Sequence, residues 1–372
     1  MHYSFWEKKN IEDLTEITII GAGIVGLSTA ISIKEANPKI GVKILERGSH
    51  PNGASTKNAG FACFGSISEI LDDVDQFGDD EALQTIQMRW QGLQLLRSRI
   101  PQSMMEYDAC GGIEAFRKAD DRLYVTCLDR YMEANTLLAQ VTGQRETWQW
   151  QSHHLNTAFY DKVLFNSYEG KLNPQSMMSW LYRKAITLQV AVYYGVEVVE
   201  ISDGDKILGC CDDLHIKYDR LVVCTNGFAK ELIPDLDVYP GRNQVLITKP
   251  LPNVHFSHVY HVDKGYLYFR TYQNRLLLGG GRNLNLDGET TSTFGMTQEI
   301  QDYLTAFLET LLPGGAAHID MWWSGILGMG TSKKPIVSWV KKDVLCGVRL
   351  GGMGVAIGSQ LGHELAMKIL EK

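Results

Sequence analysis

Three glycines, Gly21, Gly23 and Gly26, stand in Gly-x-Gly-x-x-Gly spacing between the apolar run Ile17-Thr18-Ile19-Ile20 and residues that suit a helix. The chemistry of such a stretch is done by backbone. Gly21 permits a tight turn, Gly23 admits a pyrophosphate to the main chain, and Gly26 lets a helix lie close on its sheet. Ile24 and Val25 open that helix, whose unpaired N–H groups and positive dipole end suit phosphates. About twenty residues further on, Val42-Lys43-Ile44-Leu45 reads as a second strand ending in Glu46, with Arg47 beside it. An acid at that remove is placed to accept from a ribose hydroxyl, and the unit predicts a dinucleotide site.

Two further stretches are rich in small residues. Gly53-Ala54-Ser55-Thr56-Lys57-Asn58-Ala59-Gly60-Phe61 runs straight into Ala62-Cys63-Phe64, which suits a backbone lying against a ligand better than a linker. Near the other end, Gly351-Gly352-Met353-Gly354-Val355-Ala356 leads into a helix read at 359–371. A glycine turn opening a helix at both ends of the chain suggests one nucleotide-binding sheet built from both ends, with a second domain inserted.

The elements between are read from periodicity. Helices are expected at 79–100, closed by Pro101, and at 129–142, 174–190 and 297–312. Residues 111–127 alternate as a strand pair, 144–154 form a connection without periodicity, and 193–201 read as one strand. A hairpin at 208–218 leads to the buried strand Arg220–Cys224 and the turn Thr225-Asn226-Gly227. Residues 240–282 are rich in antiparallel strands, and 343–347 is a closing strand. The domains follow as a discontinuous dinucleotide-binding domain, 1–78, 155–235 and 322–372, and a substrate domain, 79–154 and 236–321.

Composition excludes several classes. The chain has 372 residues, net charge −7, 44% hydrophobic and 21% charged residues, which argues against nucleic acid as the main partner. No apolar run reaches the length of a membrane span. Seven cysteines, without a C-x-x-C pair or metal spacing, point to reduced thiols, and the charged N-terminus does not read as a signal peptide. A cytoplasmic protein without a metal site is expected. His153-His154 diverge on an extended chain, and His258 and His261 read as structural or exposed.

Taken in order, these stretches resemble the FAD-dependent D-amino-acid-oxidase superfamily, which includes glycine oxidase, sarcosine oxidase and γ-glutamylputrescine oxidoreductase. The resemblance rests on Gly21–Gly26, the Gly53–Phe61 loop, Gly195-x-x-Val198-x-x-Ile201 and Val223-Cys224-Thr225-Asn226-Gly227. Gly265–Arg270 with Leu277–Arg282, and Gly351–Ala356, complete it. It implies an α/β fold of the D-amino-acid oxidase and glutathione reductase type, a Rossmann-like FAD-binding domain beside an antiparallel substrate sheet. It also implies that Glu46 holds the ADP half, Val198 meets the adenine, and Ala54–Phe61 wraps the pyrophosphate and flavin edge. Gly352, Met353, Gly354, Val355 and Ala356 would face the flavin pyrimidine. The implied reaction is oxidation of an amine or amino acid to an imine, with oxygen or a quinone as acceptor. A 2-hydroxy-acid or alcohol dehydrogenase, a noncatalytic flavin subunit and an NAD-dependent dehydrogenase are the alternatives.

Departures from the family pattern sharpen the expectations. The cysteine that carries flavin in sarcosine oxidases is replaced by Ile326–Gly330, and the second loop has no histidine, so FAD should be noncovalent. The arginine that clamps a substrate carboxylate before the proline is missing from Gly325–Pro335. Arg270, Arg282 and Lys333 are the candidate replacements. Arg270 leads them because Tyr266, Tyr268 and Arg270 alternate along one strand and so share one face of its sheet.

Overall fold

The computed structural model describes residues 3–202, 204–252, 254 and 256–372. Its first sheet grows from the strand Thr15–Ile20, which pairs in parallel with Val42–Glu46 on one side and with His215–Val223 on the other. Ala191–Tyr194 extends the first edge in parallel. Val344–Val348, parallel, and then Ile336–Lys341, antiparallel, extend the second. Parallel strands buried on both faces need apolar side chains throughout, and Ile17, Ile19, Val222 and Leu345 pack on one face while Ile20, Leu45, Val223 and Cys346 pack on the other.

The helix Ile24–Ala36 crosses the first face, and its residues from Ile24 to Lys34 are all buried. Small residues let the C-terminal helix Gly354–Leu370 lie almost against it. A Cβ on Gly358 would come within 2.7 Å of Ile24, and one on Gly362 within 2.5 Å of Ser28. The helix Asp79–Arg99 approaches from the other side, where a Cβ on Gly92 would overlap the carbonyl of Ala356.

A second, mixed sheet has the order Ile319–Met329, Tyr239–Thr248, Arg275–Gly280, Leu267–Tyr272, Val259–Val262, Gly112–Glu114, Lys162–Asn166 and Gln149–Ser152. Its outer face carries Leu246, Tyr260, Leu267, Phe269 and Leu278, covered by Ile300, Leu304, Phe307 and Leu308 of the helix Gln298–Leu311. The residues between these point inward, as strand alternation requires. Glu114, His261, Tyr268, Gly279, Val245 and Trp323 face one another strand by strand, in one row across the inner face.

Several elements differ from their reading in the sequence. Of 111–127 only Gly112–Glu114 is a strand, and the rest enters a helix at Asp121–Thr142. Asp120 caps that helix by accepting from the Leu123 N–H, and Cys127, Ala134, Leu137 and Leu138 fall on its buried side. Residues 193–201 are two strands, Ala191–Tyr194 and Val198–Ser202, because Gly195 turns the chain at φ 73°. Gln149–Ser152, read as a connection, is the edge strand of the second sheet. The closing helix starts at Gly354, not 359, which places Gly354–Ala356 in its first turn.

The sheets also divide the chain at other points than the boundaries read from sequence. Leu93 and Leu96 of Asp79–Arg99 belong to the core beneath the first sheet, whereas Lys162–Asn166 and Ile319–Met329 are strands of the second. Among the described residues no helix is long and apolar enough to cross a membrane.

Candidate active site

Between the sheets lies a cleft of about 450 Å³. One end of it is built by the first βαβ unit. Gly21 turns at φ 102°, and a Cβ there would lie 2.9 Å from the Cys224 carbonyl. Gly26 is not on the cleft; a side chain there would collide with the Gly21 carbonyl, so it serves helix–strand packing. Glu46 is buried at the cleft wall and accepts from Ala22 N–H at 2.9 Å and Gly48 N–H at 3.0 Å. Both oxygens keep a further lone pair. Arg47 lies over the Phe228 ring, 4.0 Å from its centre.

Gly21, Gly23, Ile24, Val25, Glu46, Arg47 and Val198 line this end, followed by Ala54, Ser55, Asn58, Ala59 and Phe61 of the small-residue loop. Ser55 Oγ accepts from the Ile24 N–H at 3.0 Å, tying the loop to the helix N-terminus. Thr56 and Gly60 do not line the cleft; Thr56 donates to the Pro51 carbonyl, and the Gly60 N–H donates to Asn58 Oδ1. Thr225, Asn226 and residues 352–356 line the opposite wall, and Gly227 does not. Asn226 accepts from Arg349 and Leu350 N–H groups and so positions the C-terminal glycine turn.

At the other end, Tyr266, Tyr268, Arg282 and Lys333 line the cleft, and Arg270 does not. Arg270 is buried on the same sheet face as Tyr268, but its guanidinium runs beneath the small-residue loop and donates to the carbonyls of Ala59 (2.5 Å) and Leu172 (3.0 Å). Burial lowers its pKa to about 10. Lys333 meets Asp73 and, at 3.5 Å, Glu69, so its charge is already matched. Burial works against that charge, but the two carboxylates outweigh it and raise its pKa. Arg282 follows Gly280 and Gly281, both at positive φ, and has no ion pair among the described residues. Lys57, also on the cleft, faces the Phe294 ring at 5.6 Å.

Residues without any local signature complete the cleft: Glu69, Asp72, Asn243, His261 and Lys264. Asn243 donates to the Tyr268 hydroxyl at 2.7 Å, leaving the phenol proton free for the cleft. Lys264 pairs with Asp72 at 2.6 Å. His261, read from sequence as structural or exposed, is buried in the cleft wall, 2.8 Å from Glu169. Only the register of three strands could have brought it there.

The family model of FAD dependent oxidoreductases matches residues 16–367. The chain belongs to this family. A relative, the probable oxidoreductase OrdL of Haemophilus influenzae, is 22% identical over 95% of this chain and 83% of its own length. Among solved structures, iminodiacetate oxidase from Chelativorans sp. BNC1 superposes with TM-score 0.75 at 20% identity, covering 96% of both chains. Glycine oxidase from Geobacillus kaustophilus gives 0.73 at 18%, covering 96% of this chain and 95% of its own. L-Proline dehydrogenase from P. horikoshii gives 0.75 at 16%, covering 96% and 93%.

This FAD-dependent oxidoreductase has a cleft that suits its cofactor. The Thr225 hydroxyl is buried on the wall without a hydrogen-bond partner among the described residues, a group that a bound ligand can satisfy. Two helix N-termini, at Ile24 and Gly354, open on the same space through glycines.

Proposed function

We propose that this flavoprotein oxidises the C–N bond of an amine or amino acid bearing an anionic group, giving an imine that hydrolyses. FAD, held without a covalent bond, supplies the hydride acceptor, and oxygen or a quinone takes the electrons onward. The ADP half would be held by Gly21, Gly23, Ile24, Val25, Glu46, Arg47 and Val198. Ala54, Ser55, Asn58, Ala59, Phe61 and the Gly354 helix N-terminus would lie along the pyrophosphate and flavin, and the partial positive charge of that helix end would suit the negative charge of the reduced cofactor. Orientation is then most of what the protein must supply.

The observation that carries the anionic substrate is the state of the cleft cations. Lys333 and Lys264 are matched by carboxylates, Lys57 faces the Phe294 ring, and Arg270 lies off the cleft, consumed by two carbonyls, whereas Arg282 has neither an ion pair nor a ring partner among the described residues. A guanidinium binds a carboxylate through paired hydrogen bonds, and the free Tyr268 proton lies on the same wall. Arg282 is accordingly the substrate anchor. The test is an anaerobic screen of amines and amino acids for flavin bleaching, followed by Arg282→Met. The variant should raise the dissociation constant of the best carboxylate substrate about ten- to several-hundredfold, equivalent to about 1.5–3 kcal/mol, at unchanged FAD content. An unaltered constant removes Arg282 as the anchor, and bleaching by hydroxy acids alone moves the reading to alcohol oxidation.

A further inference from the structure

His261 lines the cleft beside Cys63, and both stand against Glu169, a fully buried carboxylate with no other cation on it among the described residues. Glu169 is fixed on its far oxygen by the Phe64 N–H at 3.1 Å, and its near oxygen lies 2.8 Å from His261 Nε2. A carboxylate there selects the tautomer that carries its proton on Nε2. Nδ1 is then a lone pair, and it has no hydrogen-bond partner among the described residues. The imidazole is wedged edge-on against Phe61 of the cleft, 5.7 Å between ring centres, and Trp148, 6.2 Å. Directly across the strand pair stands Tyr268, which also lines the cleft. A proton acceptor oriented by a third group is the arrangement general-base catalysis requires.

We propose that His261, oriented by Glu169, is the base that takes the proton from the substrate's ammonium group. The inference rests on the amine reading above. The N–H bond of the ammonium breaks, the Nδ1–H bond forms, and Glu169 stays ionised beside the resulting imidazolium. The electron pair left on the substrate nitrogen is the pair that forms the C=N bond when the hydride leaves the neighbouring carbon for the enzyme's oxidant. An ammonium has no such pair, so the proton must go first.

The surroundings bring the imidazole closer in basicity to the ammonium it deprotonates, and the neutral ring that accepts the proton is the form present above the raised pKa. Burial opposes the charged ring, but Glu169 and, more remotely, Glu114 of the adjacent strand and Glu69 of the helix Ile67–Phe77 outweigh that and raise the His261 pKa above its ordinary value. Glu114 is buried under Ser68, and burial raises its own pKa. The Cys63 thiol, the remaining titratable group against Glu169, is pushed far up by burial and stays neutral.

The test compares wild type with His261→Gln, which can still donate to Glu169 but cannot take a proton. With an amine that bleaches the wild type anaerobically, the variant should reduce on the order of a hundredfold more slowly near pH 7. By pH 10, where the free amine supplies itself, the gap should close to within threefold. Glu169→Gln should move the wild-type ionisation toward acid, and in histidine-labelled protein the NMR titration of His261 should shift the same way. FAD content and visible spectrum should not change. A variant that keeps the wild-type pH profile overturns the role of His261 while leaving amine oxidation intact, as does a constant deficit from pH 7 to 10. Failure of every amine to bleach the wild type overturns both.

Discussion

Arg270 and Arg282 sit twelve positions apart, yet the fold uses them in opposite ways. Arg270 is spent on the carbonyls of Ala59 and Leu172, so its removal orphans two buried acceptors, each costing about 1–3 kcal/mol. Arg270→Met should lower unfolding stability by about 2–4 kcal/mol in a denaturant titration and weaken FAD retention through the loosened loop. Substrate affinity of the molecules that keep FAD should change less than threefold. A variant with native stability and a substrate constant raised tenfold or more would instead return Arg270 to the carboxylate. Strand alternation alone could not separate the two arginines: it places Arg270 on the same sheet face as Tyr268, but says nothing of the loop that covers that end of the row.

Elements were legible where their signals were local. The glycine spacing and Glu46 required only a strand, a turn and a helix in sequence, and all three are present. The segment 121–127 misleads because Val125 and Thr126 favour a strand, while the Asp120 cap and the buried side of a long helix decide otherwise. His261 and Glu69 left no trace in the sequence, since one depends on strand register and the other on three separate elements. Glu69, on the helix Ile67–Phe77, joins Arg89 of Asp79–Arg99 at 2.9 Å and Lys333 of the 330–335 loop at 3.5 Å. Ser332 donates to Glu81 beside them, so loop and helices are fastened together. Burial would raise the Glu69 pKa, but Arg89 and Lys333 hold it down to about 2, against about 4.3 in an unfolded chain. A depressed folded value means stability that is complete above pH 4.3 and is lost as pH falls through 2. Glu69→Gln should therefore cost about 2–3 kcal/mol at pH 7, and the gap between variant and wild type should narrow steadily below pH 4. A gap independent of pH in that range would mean that the charge of Glu69 is not what fastens the loop.

At the scale of the molecule, the cleft is made from both ends of the chain with a second sheet as its roof. The second loop offers Thr56-Lys57-Asn58 and the 326–330 stretch Ile-Leu-Gly-Met-Gly, neither with a histidine or cysteine for attachment. Acid precipitation should therefore release all yellow colour into the supernatant; colour kept in the pellet would show a covalent link. Roughly 330 residues separate Gly21 from Gly351. A ribosome adding about 5–20 residues per second needs something like half a minute between them. For that interval the helix Ile24–Ala36 lacks the Gly358 and Gly362 face that covers Ile24 and Ser28. The nascent chain must keep this apolar surface from other chains, and it has half a cofactor site that no flavin can fill. Holoenzyme yield in a cell should then depend on what shelters the first βαβ unit during translation as much as on the supply of FAD.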